Sequence, residues 1–168
     1  MNFSMFSFQH ITIFLTVLLA GLVTGLLYSY SCSVNIGLRA LPDAEYLRAM
    51  QSINEAIQNP YFFLSFMGLL ILFPLTVWQM YSQQPPAAFY VMLFAAILYF
   101  IGVFGVTVLG NVPLNNQLAG FDVLHSTASE ISAMRVAFEK SWNTFHLIRT
   151  ICAVITFGLT IVFLMKQK

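Results

Sequence analysis

Apolar and polar positions along this chain follow two patterns. Four stretches are almost wholly apolar, at about residues 11–31, 61–81, 87–110 and 145–165. Each reaches the roughly 20 residues that a helix needs to cross a bilayer core of about 30 Å. Two further segments are mixed. Over residues 43–58, Leu47, Met50, Ile53 and Ile57 recur at helical spacing, and over residues 128–144 so do Ile131, Met134, Phe138 and Trp142. The pattern predicts an all-α, integral membrane four-helix bundle with amphipathic helical segments capping one face, forming one domain over residues 1–168.

Local signals sharpen the boundaries. Pro42 and Asp43 suit a helix start, and Asn59-Pro60 marks the end of that segment. Thr127 and Glu130 have capping-box spacing. No Gly or Pro interrupts Ala128 to Phe157, so the second amphipathic segment should run unbroken into the last span. Reaching Met165, that helix would be about 57 Å long and would project from the membrane onto the first amphipathic helix. The "SQQPP" stretch forces a turn that makes spans two and three antiparallel neighbours. Both long connections then share one membrane face. The first apolar stretch is too long for a signal peptide and lacks a basic lead and a small-residue cleavage site, so it is read as a retained span.

Composition supports this class. The chain has 168 residues, 59% hydrophobic and 8% charged, against about 25% charged in a soluble domain. A multi-pass protein of the cell (inner) membrane is expected. A net charge of +1 argues against a nucleic-acid partner. Cys32 and Cys152 lack a nearby cysteine and read as packing residues. The positive-inside rule, applied to Arg39, Arg48, Arg135 and Lys140 against Lys166 and Lys168, would put the long connections in the cytoplasm. Interleaved acids leave the sidedness open, and a homo-oligomer also stays open.

Candidate chemistry gathers toward the capped face. Asn143, His146 and Thr150 share one side of the last helix, and Trp142, His146 and Arg149 share an overlapping one, with Glu139 two turns earlier. In "GNVPLNNQL", Asn111 and Asn115 flank Pro113, which suggests an unwound turn aimed at a cavity. Asn54, Asn59, Tyr28, Tyr30, Ser31, Ser33 and Asn35 add polar groups at similar depth. Each has a bland reading: interfacial belts, helix caps or polar links between helices. Together they point to a lipophilic small-molecule pocket beneath the cap, because ionisable residues inside spans usually face a functional interior. His146 would be its general base or a metal ligand, and Arg149 would stabilise an oxyanion. No cofactor is required by the sequence. A metal or haem at His146 is an alternative whose second axial histidine would be His125 or His10.

Three blocks, "GLRALPDAEYLRAMQSINEAIQNPYFFLSF", "YFIGVFGVTVLGNVPLNNQL" and "FEKSWNTFHLIRT", resemble a family of small four-span membrane proteins. Much of this family is catalogued as a domain of unknown function, and it includes the fungal anthrone oxygenases. The resemblance covers roughly residues 21–165. Its most specific part is GN-x-P-x-N, here Gly110, Asn111, Pro113 and Asn115, together with W-N-x-x-H-x-x-R, here Trp142, Asn143, His146 and Arg149. Many relatives have a proline near Asn35-Ile36-Gly37, which this chain lacks, so a different approach to the cap is expected. The resemblance implies an oxidoreductase, a monooxygenase that turns the methylene of a phenolic anthrone into a carbonyl with dioxygen. It implies His146 as base, and Arg149 and Asn143 as anion stabilisers. Asn111 and Asn115 would orient phenolic oxygens, with Trp142 as an apolar wall. Asn54 and Tyr28, from the polar groups at similar depth, are expected as further substrate contacts. The competing function is a non-catalytic membrane protein binding a lipid or a partner subunit. A transporter ranks third, for want of an internal repeat or charged pathway.

Overall fold

The computed structural model describes residues 8–81 and 86–166. The "SQQPP" turn (except Pro86) and Lys168 lie outside the described residues. Within them the chain forms five helices and no strand: α1 (Phe8–Arg39), α2 (Asp43–Ala56), α3 (Pro60–Met80), α4 (Ala87–Ala119) and α5 (Ala128–Lys166). All but α2 are long and apolar enough to cross a membrane. They form a ring in which α1 and α4 each contact both α3 and α5. Leu64, Ile71, Ile101 and Leu109 face outward, as lipid-facing side chains must.

Without a hydrophobic gradient between lipid and bundle interior, membrane helices associate through close packing and polar links. Thr16 Oγ1 lies 2.9 Å from Thr76 Oγ1, joining α1 to α3. Thr24 donates to the Ala153 carbonyl at 3.0 Å, joining α1 to α5, and Tyr99 donates to the Phe66 carbonyl at 2.7 Å, joining α4 to α3. Glycines bring α4 and α5 together. A Cβ at Gly102 would stand 2.5 Å from Cys152 Sγ and 2.8 Å from its Cβ, and one at Gly110 would stand 2.6 Å from the Phe145 ring. Gly102→Ala is therefore expected to destabilise the protein by about 1–3 kcal/mol, the usual cost of overpacking. Thermal unfolding in detergent checks this, and an unchanged midpoint would contradict so close an approach.

The cap closes one end. Leu38, Tyr46, Leu47, Met50, Leu118, Val123, Phe138 and Trp142 bury a second apolar cluster, so the projecting half of α5 does pack on α2. The capping box at its start is formed. Thr127 N donates to Glu130 Oε2 at 2.7 Å, and Glu130 N donates to Thr127 Oγ1 at 3.3 Å. Asn59 caps α3, its Oδ1 accepting from Phe62 N at 3.1 Å. Arg135 holds three helices together. It donates to Glu139 Oε2 and Asp43 Oδ1, both at 2.9 Å, and to the carbonyls of Leu41 (2.7 Å) and Arg39 (3.1 Å). Its guanidinium also lies 4.5 Å over the ring of Tyr46. Burial pushes the Tyr46 phenol well above its ordinary pKa, so Arg135 meets a neutral ring there.

The helix of the first span continues beyond residue 31 to Arg39, through a π-helical turn at Tyr30–Val34. Hydroxyls along this stretch bond back into the helix. Ser29 donates to the Leu26 carbonyl and Ser31 to the Leu27 carbonyl. One expectation is corrected: the third span does not unwind at Asn111-Pro113. Asn111 stays helical at φ −74°, ψ −41°, and α4 runs on to Ala119. Pro113 removes one N–H and crowds the carbonyl four residues back, and a π-helical turn at Thr107–Asn111 just before it accommodates that fault.

Candidate functional site

The helical phase of α5 sets the site. Buried positions recur at Phe138, Trp142, His146, Thr150, Ala153 and Thr156, so the cap stripe continues directly into the membrane half. His146 is 2% exposed and meets all its neighbours from within the bundle. Its ring stacks on Trp142 at 5.2 Å and 10° and meets Tyr30 edge-on at 4.7 Å. Its Nε2 lies 2.8 Å from Ser31 Oγ and 3.4 Å from Thr150 Oγ1. Its Nδ1 faces Arg149, with Nη2 at 3.2 Å and Nε at 3.4 Å. α1 thus supplies one side of the histidine and α5 the other.

Arg149 is the unusual group. Its Nη1 donates to Thr107 Oγ1 at 3.3 Å, and its guanidinium lies 5.3 Å over the Trp142 ring. Among the described residues no carboxylate pairs with it; the arginines that do pair with acids are Arg39 and Arg135, at the cap. A cation held inside a bundle on an imidazole, a hydroxyl and an indole face is under-compensated. Glu139, expected on the His146 side, is engaged by Arg135 and Arg39.

The amides divide into fixed and free. Asn115 Oδ1 accepts from Trp142 Nε1 at 2.7 Å, which orients the indole. Asn111, 1% exposed, donates from Nδ2 to the Trp142 carbonyl at 3.1 Å. A carbonyl can only accept, so the atom left over on Asn111 is the acceptor Oδ1, and it is buried without a partner. Both side-chain polar atoms of Asn143 are likewise buried and unpartnered, as are Asn35 Oδ1 and Asn54 Nδ2. An unpaired buried polar atom costs about 1–3 kcal/mol, so this end of the bundle holds hydrogen-bonding capacity that its own residues do not use.

The structure brings His146, Arg149, Trp142, Asn111 and Asn115 into one connected cluster. Asn143 lies beside it on α5, and Asn54 sits on the inward face of α2 one turn beyond Met50, which accepts from Tyr30 Oη at 3.1 Å. Tyr28 does not join this cluster: it is 59% exposed. The buried face of α1 passes through Val23 and Leu27, and Tyr28 is turned about 100° from Leu27. Tyr30 takes the place expected for it. Tyr30 and Ser31, named only as polar groups at similar depth, are direct neighbours of His146, and Thr107 is a site neighbour that the sequence did not single out. Among the described residues no group of three His, Cys, Asp or Glu side chains that could hold a metal ion occurs. The donor-only guanidinium at Nδ1 also sets a positive charge against a metal there. The two histidines considered as a second haem ligand lie elsewhere. His125 pairs with Asp122 at 2.6 Å on an exposed loop, holding that carboxyl below its usual range, and His10 is in the first turn of α1.

Four apolar helices, with a buried histidine, arginine and amide cluster under a helical cap, define a small four-span integral membrane protein. The family model described as Anthrone oxygenase matches residues 62–159, which is 98 of 168 residues. The chain belongs to the anthrone oxygenase family. No curated protein and no solved structure matches it.

Proposed function

We propose that this protein is a membrane oxygenase of the anthrone oxygenase type, acting on a lipophilic phenolic aromatic compound whose acidic methylene it converts to a carbonyl. The observation that carries this reading is Arg149: a guanidinium within the bundle, without a carboxylate among the described residues, whose donors rest on His146 Nδ1. A ligand oxygen that carries or develops negative charge would attract those donors more strongly than a neutral imidazole does. Their departure would free the Nδ1 lone pair. Asn111 Oδ1, an acceptor without a donor, suits a phenolic hydroxyl on the same ligand.

The chemistry follows from these positions. His146 Nδ1 takes one proton from the methylene, and the electron pair left on carbon spreads onto the ring-carbonyl oxygen beside Arg149. Dioxygen accepts that pair as a C–O bond forms, and the imidazolium returns its proton to give a hydroperoxide. Loss of the second C–H proton and cleavage of the O–O bond release water and leave the carbonyl. The balance is one methylene and one dioxygen giving one carbonyl and one water. Purified protein in mild detergent should consume one dioxygen per anthrone, faster than the protein-free blank. Uptake at the blank rate would sink the reading, and a co-purifying lipid would then favour the binding protein.

A further inference from the structure

The family match begins at residue 62, so it leaves α1 outside the matched region. Yet the shortest polar contact to the His146 ring comes from α1, at Ser31 Oγ, 2.8 Å from Nε2. The π-helical turn at Tyr30–Val34 presents two consecutive residues to the same imidazole, Tyr30 by its ring edge and Ser31 by its hydroxyl.

Which atom of His146 carries the hydrogen can be read from its neighbours. Ser31 Oγ donates its own hydrogen to the Leu27 carbonyl at 3.2 Å, which leaves its lone pairs toward Nε2. Thr150 Oγ1 is likewise occupied as a donor, to the His146 carbonyl at 2.7 Å, and offers lone pairs to Nε2 from 3.4 Å. On the other side Arg149 can only donate, so Nδ1 must accept. Two hydroxyl acceptors on one edge and a donor-only guanidinium on the other are compatible with one neutral form, with hydrogen on Nε2 and the lone pair on Nδ1.

We propose that Ser31 is a positioning residue of the candidate site: from α1 it holds His146 in the Nε2–H tautomer, so that the base is presented at Nδ1, beside Arg149. The catalytic consequence rests on the reading of His146 as the base; the tautomer itself does not. A hydroxyl partner on the far nitrogen of a working histidine fixes ring orientation and tautomer together.

The test is nitrogen NMR of the full chain in nanodiscs, with 15N-labelled histidine and His146 assigned by its loss in His146→Gln. The wild type at pH 8 is expected to show hydrogen on Nε2 and a bare Nδ1. Ser31→Ala should add a measurable share of the Nδ1–H form and lower kcat with an anthrone about tenfold, the scale of one hydrogen bond, with KM within twofold. Ser31→Thr should restore both. Hydrogen on Nδ1 in the wild type would overturn the proposal, even if Ser31→Ala fails to fold. So would a folded Ser31→Ala protein with the wild-type spectrum. A wild type that turns over no anthrone but shows the expected spectrum would sink the oxygenase reading and leave the role of Ser31 in place.

Discussion

Replacing His146 with Gln should lower anthrone-dependent oxygen uptake by about 10²–10⁴-fold, the range for removal of a general base. The fold should survive, because Gln fills similar volume and its amide N–H can still reach the Ser31 hydroxyl that now lies 2.8 Å from Nε2. Far-ultraviolet circular dichroism and size exclusion in detergent would establish that. The loss should fall on kcat, since the proton is taken after the substrate oxygen has met Arg149. A folded His146→Gln protein with wild-type turnover would remove the histidine from the chemistry altogether.

Arg149→Met should produce two opposite changes. Turnover is expected to fall by about 10²–10³-fold, as when a donor to a developing oxyanion is removed. Stability is expected to rise by about 1–3 kcal/mol, because a half-buried, under-compensated cation is replaced by an apolar side chain of similar length. Thermal unfolding followed by tryptophan fluorescence measures the second change on the same preparation. A structural arginine would behave otherwise, since its removal would lower the unfolding midpoint. The divergence of activity and stability is the signature of a group kept for its ligand.

Much of the architecture was legible because it depends on patterns that survive local irregularity. The unbroken α5, its capping box and the stripe from Ile131 to Trp142 all follow from spacing. His146, Arg149, Asn111 and Trp142 were legible because polar groups inside apolar spans stand out. The irregular turns left no such trace. A π-helical turn in α1 brings Tyr30 and Ser31 to the histidine, while Tyr28, one residue past the buried Leu27, is exposed. The same kind of turn carried α4 past Pro113, where a break had been expected. Arg135 was counted as a loop charge, because partners as distant in sequence as Arg39 and Asp43 leave no local signal. Gln51 was overlooked for the same reason, although its Nε2 donates to the carbonyls of Leu118 and Phe121 at 2.9 Å each, tying α2 to the end of α4.

The uninterrupted 39 residues of α5 also constrain how anything reaches His146. A stiff rod that begins in the cap and ends in the opposite leaflet has no hinge at the membrane boundary, so its projecting half cannot swing aside as a door. Freedom to open lies with α2, which is joined to α1 and α3 by only residues 40–42 and 57–59. What fastens that door includes contacts from the rod itself, with Arg135 on Asp43 and the buried faces of Phe138 and Trp142 against Leu47 and Met50, and Gln51 on the end of α4. A guest arriving from the bilayer would have to part α2 from α5 or slip between the spans beneath it.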